Sequence, residues 1–269
     1  MRRLLPLLLL LAGCAPAGEQ QGGGIVSLNP CSDQLLLALV PPARITAISH
    51  YSQAAGATSV PLPLARRFRS TGGTAEEVIA LAPDLVVATS YTPPATRAAF
   101  ERAGLRTLYL DSPTTIADSK AQVAELAVAV GAAQQGAAIN ARIDRAVAEA
   151  RWTGAAVPAL LYISGDLASG AGTLLHEMMQ LAGLRNAAAD YGLVMTGTLP
   201  VETILAHPPA LILRPDADGQ TAAIRRRLLA RTDAPTREVA FPRELINCGG
   251  PTIPAALARL AAVRRQVTR

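Results

Sequence analysis

Lysine is almost missing from this 269-residue chain: Lys120 stands alone, in Asp118-Ser119-Lys120-Ala121, with no glycine just before it. A phosphate-cradling loop of the form GxxxxGK[ST] is therefore excluded. Aromatic residues are nearly as sparse, with one tryptophan, five tyrosines and three phenylalanines, too few for a platform that stacks single-stranded nucleic acid. The three histidines, His50, His176 and His207, are scattered and form no three-imidazole set for a bare zinc or manganese ion. A GxSxG nucleophile turn is absent, and Gly170-x-Gly172 lacks the third glycine of a dinucleotide fingerprint. No residue is assigned a catalytic role, and the chain is not read as an enzyme. What is present is apolar: hydrophobic residues make up 50% and charged residues 17%, which excludes intrinsic disorder and leaves ample material for a core.

The first residues are read as an export signal. Met1-Arg2-Arg3 precedes a leucine-rich run to Leu11, and Ala12-Gly13-Cys14 follows. A basic start, a short apolar stretch and a small-residue site mark a secretory signal peptide, and the stretch is too short to span a bilayer. Leu11-Ala-Gly-Cys14 resembles the bacterial lipobox, which makes Cys14 the acylated mature N-terminus. Removing residues 1–13 lowers the formal charge from +5 to +3, so no nucleic-acid partner is expected. Residues 14–24 read as a lipidated cysteine and flexible tether to a membrane.

From Ile25 onward, short apolar runs alternate with helical ones, the grammar of βαβ units and a mainly parallel sheet. Ile25–Leu28 and Leu85–Ala88 read as strands, and Thr74–Leu81 as a helix with a capping box between Thr74 and Glu77. The second half repeats this pattern. Glu76, Val78, Pro83 and Leu85 fall on Glu202, Ile204, Pro209 and Leu211 at a constant offset, which points to two related lobes. Residues 116–153 carry a helical pattern, with Val123, Leu126, Val130, Ile139, Ile143 and Val147 on one face. The expected architecture is α/β: two Rossmann-like lobes, 25–115 and 154–269, joined by one long helix over 116–153.

These features together resemble the substrate-binding proteins of ABC importers for metal chelates, the group that captures cobalamin, ferric siderophores and haem. Gly73-Thr-Ala-Glu-Glu-Val-Ile-Ala-Leu-Ala-Pro-Asp-Leu-Val86 is the most recognisable stretch, and Ile25-Val-Ser-Leu-Asn-Pro30, Met179-Gln-Leu-Ala-Gly183 and Glu202-Thr-Ile-Leu205 follow the family order. The resemblance implies the class III periplasmic binding protein fold, a rigid clamp holding ligand between its lobes. It implies an ABC permease dimer and its ATPase as partners, with Glu76 and Glu202 docking onto arginines of the permease. It implies no cofactor of its own, and a small-molecule metal chelate as ligand, cobalamin first, ferric siderophore or haem next.

In an open α/β fold the ligand sits at the carboxyl ends of the strands. Candidate contacts from the first half are Asn29, Pro30, His50, Tyr51 and Tyr91, with Arg69 available to an anionic chelate. From the second half they are Asp166, Leu167 and Asn247. Cys31 and Cys248 form an even pair in an oxidising compartment. They leave two readings open, a disulfide across the lobes or two free thiols near the ligand.

Overall fold

A computed structural model describes residues 23–215, 219–232 and 236–268; the export signal, Cys14 and nearly all of the tether lie outside them. The first lobe comprises β1 (Ile25–Ser27), α1 (Pro30–Leu39), β2 (Ile45–Ser49), α2 (Leu62–Ala65), β3 (Ser70–Thr71), α3 (Ala75–Ala80), β4 (Leu85–Thr89), α4 (Pro94–Arg102) and β5 (Thr107–Leu110). Two helices follow, α5 (Ile116–Ala129) and α6 (Ala133–Ala150). The second lobe comprises β6 (Val157–Ser164), β7 (Leu167–Ala168), α7 (Leu174–Leu181), β8 (Leu184–Asn186), β9 (Gly197–Thr198), α8 (Val201–Leu205), β10 (Leu211–Arg214), α9 (Gln220–Leu229), β11 (Arg237–Ala240) and α10 (Ile253–Val267). No helix among the described residues is long and apolar enough to cross a membrane.

The first sheet is wholly parallel, in the order β3-β2-β1-β4-β5. In the second, β8, β6, β10 and β11 are also parallel neighbours. The run β2-β1-β4-β5 therefore has the same order as β8-β6-β10-β11. Leu85 pairs with Ile25, and its repeat partner Leu211 pairs with Ala159. Val78 and Ile204 are both fully buried, so the repeat in the sequence marks equivalent places in two scaffolds. The second lobe adds β7, antiparallel to the carboxyl half of β6, and β9, antiparallel to β7.

Local signals position these elements. Asn29 caps α1 through its side chain, which accepts a hydrogen bond from the Cys31 N–H, and Pro30 opens the helix. Thr74 caps α3 by accepting from the Glu77 N–H. The expected capping box is only half made, because the Glu77 carboxylate turns back to the Thr71 hydroxyl and the Gly72 N–H, each at 2.7 Å. Those two bonds, the Thr71 one foremost, hold its acidity below the ordinary carboxylate range.

The single linking helix expected over 116–153 is two helices. Gly131 adopts a left-handed conformation, φ 70°, which reverses the chain between α5 and α6. The helices then pack on each other around Gly136, where a Cβ would lie 2.5 Å from that of Ala127. The apolar face read as one continuous stripe is thus split, with Val123 and Leu126 meeting Ile139 and Ile143 in one core. That core runs from Leu35 and Leu36 in the first lobe to Met178 and Leu257 in the second. Trp152 follows α6, as expected, but its ring lies beneath the Arg264 guanidinium at 3.5 Å.

Candidate functional site

A cavity of about 320 Å³ lies between the lobes. The first lobe contributes Asn29, Cys31 and Ser32 from the start of α1, Thr89 from the end of β4, and Asp111 to Pro113 beyond β5. The second contributes Ile163, Ser169, Thr173 and Thr196, with Asn247, Cys248 and Gly249 before α10. On the first-lobe side these are carboxyl ends of parallel strands, where an α/β sheet has room for a ligand. Leu174, Leu175 and Met178 of α7 supply an apolar wall, and hydroxyls and backbone groups supply polar points, a mixture suited to a partly apolar small molecule.

Cys31 and Cys248 are joined in a disulfide, with Cα atoms 5.3 Å apart, so the free-thiol reading does not hold. The bond crosses from one lobe to the other and forms part of the cavity lining.

The predicted contacts divide. Asn29 and Asn247 line the cavity, and Pro30 sits beside them at the first position of α1. The Asn247 amide also donates to the Gly56 carbonyl across the lobes at 3.4 Å. His50 and Tyr51 lie on a short turn of helix at the end of β2, outside the cavity lining but on the same strand-end face. Tyr51 is 55% exposed, and its ring packs 4.0 Å from that of His50. The His50 Nδ1 lies 3.2 Å from the Thr71 carbonyl. A carbonyl only accepts, so Nδ1 is the nitrogen that donates here, and in the neutral ring Nε2 is the one with the lone pair. Tyr91, after β4, is 77% exposed and lines a second depression with Tyr109, Asp118 and Glu125 that shares Asp111 to Pro113 with the cavity.

Three predicted contacts stand elsewhere. Arg69 lines a separate hollow with Glu77, Ala80 and Leu81. Asp166 lines another with Glu202, Thr221 and Arg225. Leu167 is committed to β7, paired with both β6 and β9. The loop after β6 is redirected by the β7–β9 insertion, which brings Ser169 and Thr173 to the cavity instead. Glu76 and Glu202 are exposed in the first turns of α3 and α8, one on each lobe. Among the described residues no group of three or more His, Cys, Asp or Glu side chains is arranged to hold a metal ion.

Two side chains missed by sequence reasoning hold the cavity rims. Arg97 on α4 donates to the carbonyls of Thr92, Ser90 and Thr89, fixing the loop that carries Tyr91, and covers the Tyr109 ring at 4.2 Å. Asn186, 3% exposed, donates to the carbonyls of Ser169 and Gly170 and accepts from the Ala188 N–H. Nothing in the local sequence distinguishes Arg97 from the other arginines, but an asparagine at the end of a short strand is a recognisable turn signal.

The whole molecule resembles solved structures of one kind. The periplasmic haem-binding protein RhuT from Roseiflexus sp. RS-1, in apo form, superposes with a TM-score of 0.76 at 24% identity, over 92% of this chain and 100% of that one. A periplasmic haem-binding protein from Pseudomonas aeruginosa gives 0.70 at 23% identity, over 89% and 91%. The periplasmic vitamin B12-binding protein BtuF of Vibrio cholerae gives 0.65 at 18% identity, over 91% and 97%. No curated protein sequence matches. The family model for periplasmic binding proteins matches residues 25–234. The order of motifs, the paired lobes and the cavity between them agree with that match, and the chain belongs to the periplasmic binding protein family.

Proposed function

We propose that this protein is the extracytoplasmic receptor of an ABC importer and that its ligand is a metal tetrapyrrole, with haem ahead of cobalamin. The observation that carries the ligand class is the row of donors at the strand ends of the first lobe. The Tyr51 and Tyr91 phenols are exposed, and His50 presents a free Nε2 because its Nδ1 is tied to Thr71. Phenolate and imidazole are ligands for haem iron. Cobalamin, the first expectation from the sequence, would be held mainly by aromatic surface, and this chain offers little of it at the cleft. The likeness to RhuT and to the Pseudomonas protein supports the same order. Glu76 and Glu202 are read as the docking carboxylates for the permease, and Cys14 as the lipid anchor.

Titration of the purified protein with ferric haem is expected to give a saturable Soret shift. Tyr51→Phe, Tyr91→Phe and His50→Ala, tested singly, identify the ligating atom as the one whose loss changes the charge-transfer bands and weakens binding at least tenfold. Saturable binding of cyanocobalamin with none of haem reverses the order of ligands. Binding of neither, nor of a ferric siderophore, refutes the reading.

A further inference from the structure

Covalent chain passes directly from the first lobe to the second once among the described elements, through α5 and α6. An apolar core shared by α1, α5, α6, α7 and α10 also joins the lobes at their base. The disulfide adds a second covalent link at a distant point. Cys31 lies in the first turn of α1, Cys248 lies just before α10, and they stand 217 positions apart in sequence. Polar contacts surround the bond on the same floor. The Gln34 amide donates to the Gly249 carbonyl at 3.1 Å and to the Thr252 hydroxyl at 2.6 Å. The Ser119 hydroxyl accepts from the Gly250 N–H at 2.8 Å, and Asn247 reaches Gly56. Each of these hydrogen bonds can be exchanged for one to water if the lobes part. The sulfur–sulfur bond cannot.

We propose that the Cys31–Cys248 disulfide is the positioning element of the cleft: it fixes the gap between the lobes before ligand arrives and slows ligand escape. The bond lies in the wall of the cavity, so separation of α1 from the segment before α10 would change the width of the cavity itself. A cleft held at one width has less ordering to complete on binding, which favours retention. The gap is a property of the empty protein; only the part concerning escape rests on the tetrapyrrole reading.

The test compares the wild type with Cys31→Ser/Cys248→Ser by small-angle X-ray scattering without and with ferric haem. Haem dissociation into excess apomyoglobin is followed alongside. The wild-type curve is expected to be the same with and without haem. The double variant is expected to show a larger radius of gyration when empty, to contract on binding haem, and to release haem at least tenfold faster. If the variant does not fold, wild type reduced with a phosphine and alkylated after folding takes its place. Gln34→Ala, with the disulfide intact, is expected to scatter as wild type. A bond that merely stabilises lowers the melting temperature and leaves both the empty-state scattering and the release rate unchanged, and that result overturns the proposal. If haem binds to neither form, the functional reading fails while the empty-state curves still decide the gap.

Discussion

In the first lobe the strand ends carry His50, Tyr51 and Tyr91, whereas the second lobe turns Ser169, Thr173 and Thr196 toward the cleft. The scaffolds behind these faces have the same strand order, β2-β1-β4-β5 against β8-β6-β10-β11. The outer packing also corresponds, with Val78 and Phe100 buried against one sheet and Ile204 and Leu229 against the other. The cleft face differs, because β7 and β9 fold over the end of β6 and replace a simple strand-end loop. On the proposed function, the duplicated parts would present matched surfaces outward to a permease and the divergent parts would meet an asymmetric ligand.

The largest expected effect breaks the symmetry on the outer face. Glu76→Ala/Glu202→Ala is expected to reduce stimulation of the importer's ATPase at least 100-fold in reconstituted membranes, with haem affinity unchanged. Each single replacement should have a partial effect, since each lobe supplies one of two equivalent carboxylates. If the two glutamates only complement helix dipoles, worth about 0.3–1 kcal/mol each, the double variant loses a little stability and stimulates normally.

The second comparison concerns pH. Asp33, on α1 of the first lobe, is fully buried; its carboxylate accepts from the Ser49 N–H at 3.0 Å and the Ser52 hydroxyl at 2.6 Å. Burial outweighs these bonds and pushes its pKa up to about 7. The buried group of the second lobe, Tyr162, donates to the Leu199 carbonyl and lies under Arg225 at 3.9 Å; burial pushes it up to about 12. Asp33 therefore titrates near neutrality and Tyr162 does not. Between pH 4 and 7 the folded protein holds a proton on Asp33 that the unfolded chain has released. Stability contributed by this group is thus full below about pH 4, falls as pH rises to 7 and is then constant, by up to about 4 kcal/mol in total. Asp33→Asn should remove that fall. Denaturant unfolding of the two proteins at pH 4, 5.5 and 7.5 measures it, and a difference independent of pH would show that Asp33 is ionised throughout.

Much of this scaffold was legible because it rests on local rules. Short apolar runs became β1, β4 and β10, and the repeat about Glu76 and Glu202 marked matching lobes. The helix over 116–153 was misread because apolar spacing continues across Gly131, while the reversal there depends on one left-handed residue and on Gly136 admitting Ala127. In the site, Asn29 and Asn247 could be found because they adjoin strand ends or a final helix. Asp166 and Leu167 were misplaced because the β7–β9 insertion is made of two-residue strands, too short to leave a period. The disulfide joins positions 217 apart in sequence, a pairing that sequence spacing alone does not determine.

The smallest effects separate the two rims. Asn186→Ala leaves the Ser169 and Gly170 carbonyls and the Ala188 N–H without their partner in a buried place, which should cost about 2–4 kcal/mol. Arg97 holds the opposite rim through a guanidinium fork that only half-buries, and Arg97→Ala should cost about 1 kcal/mol or less. Its consequence is local: the loop bearing Tyr91 loosens, and haem should dissociate two- to fivefold faster with little change in melting temperature. Arg97→Lys keeps the charge but cannot span three carbonyls with one ammonium. It should therefore behave as Arg97→Ala does. A lysine variant with wild-type dissociation would mean that the charge over Tyr109, rather than the grip on residues 89–92, sets that side of the cleft.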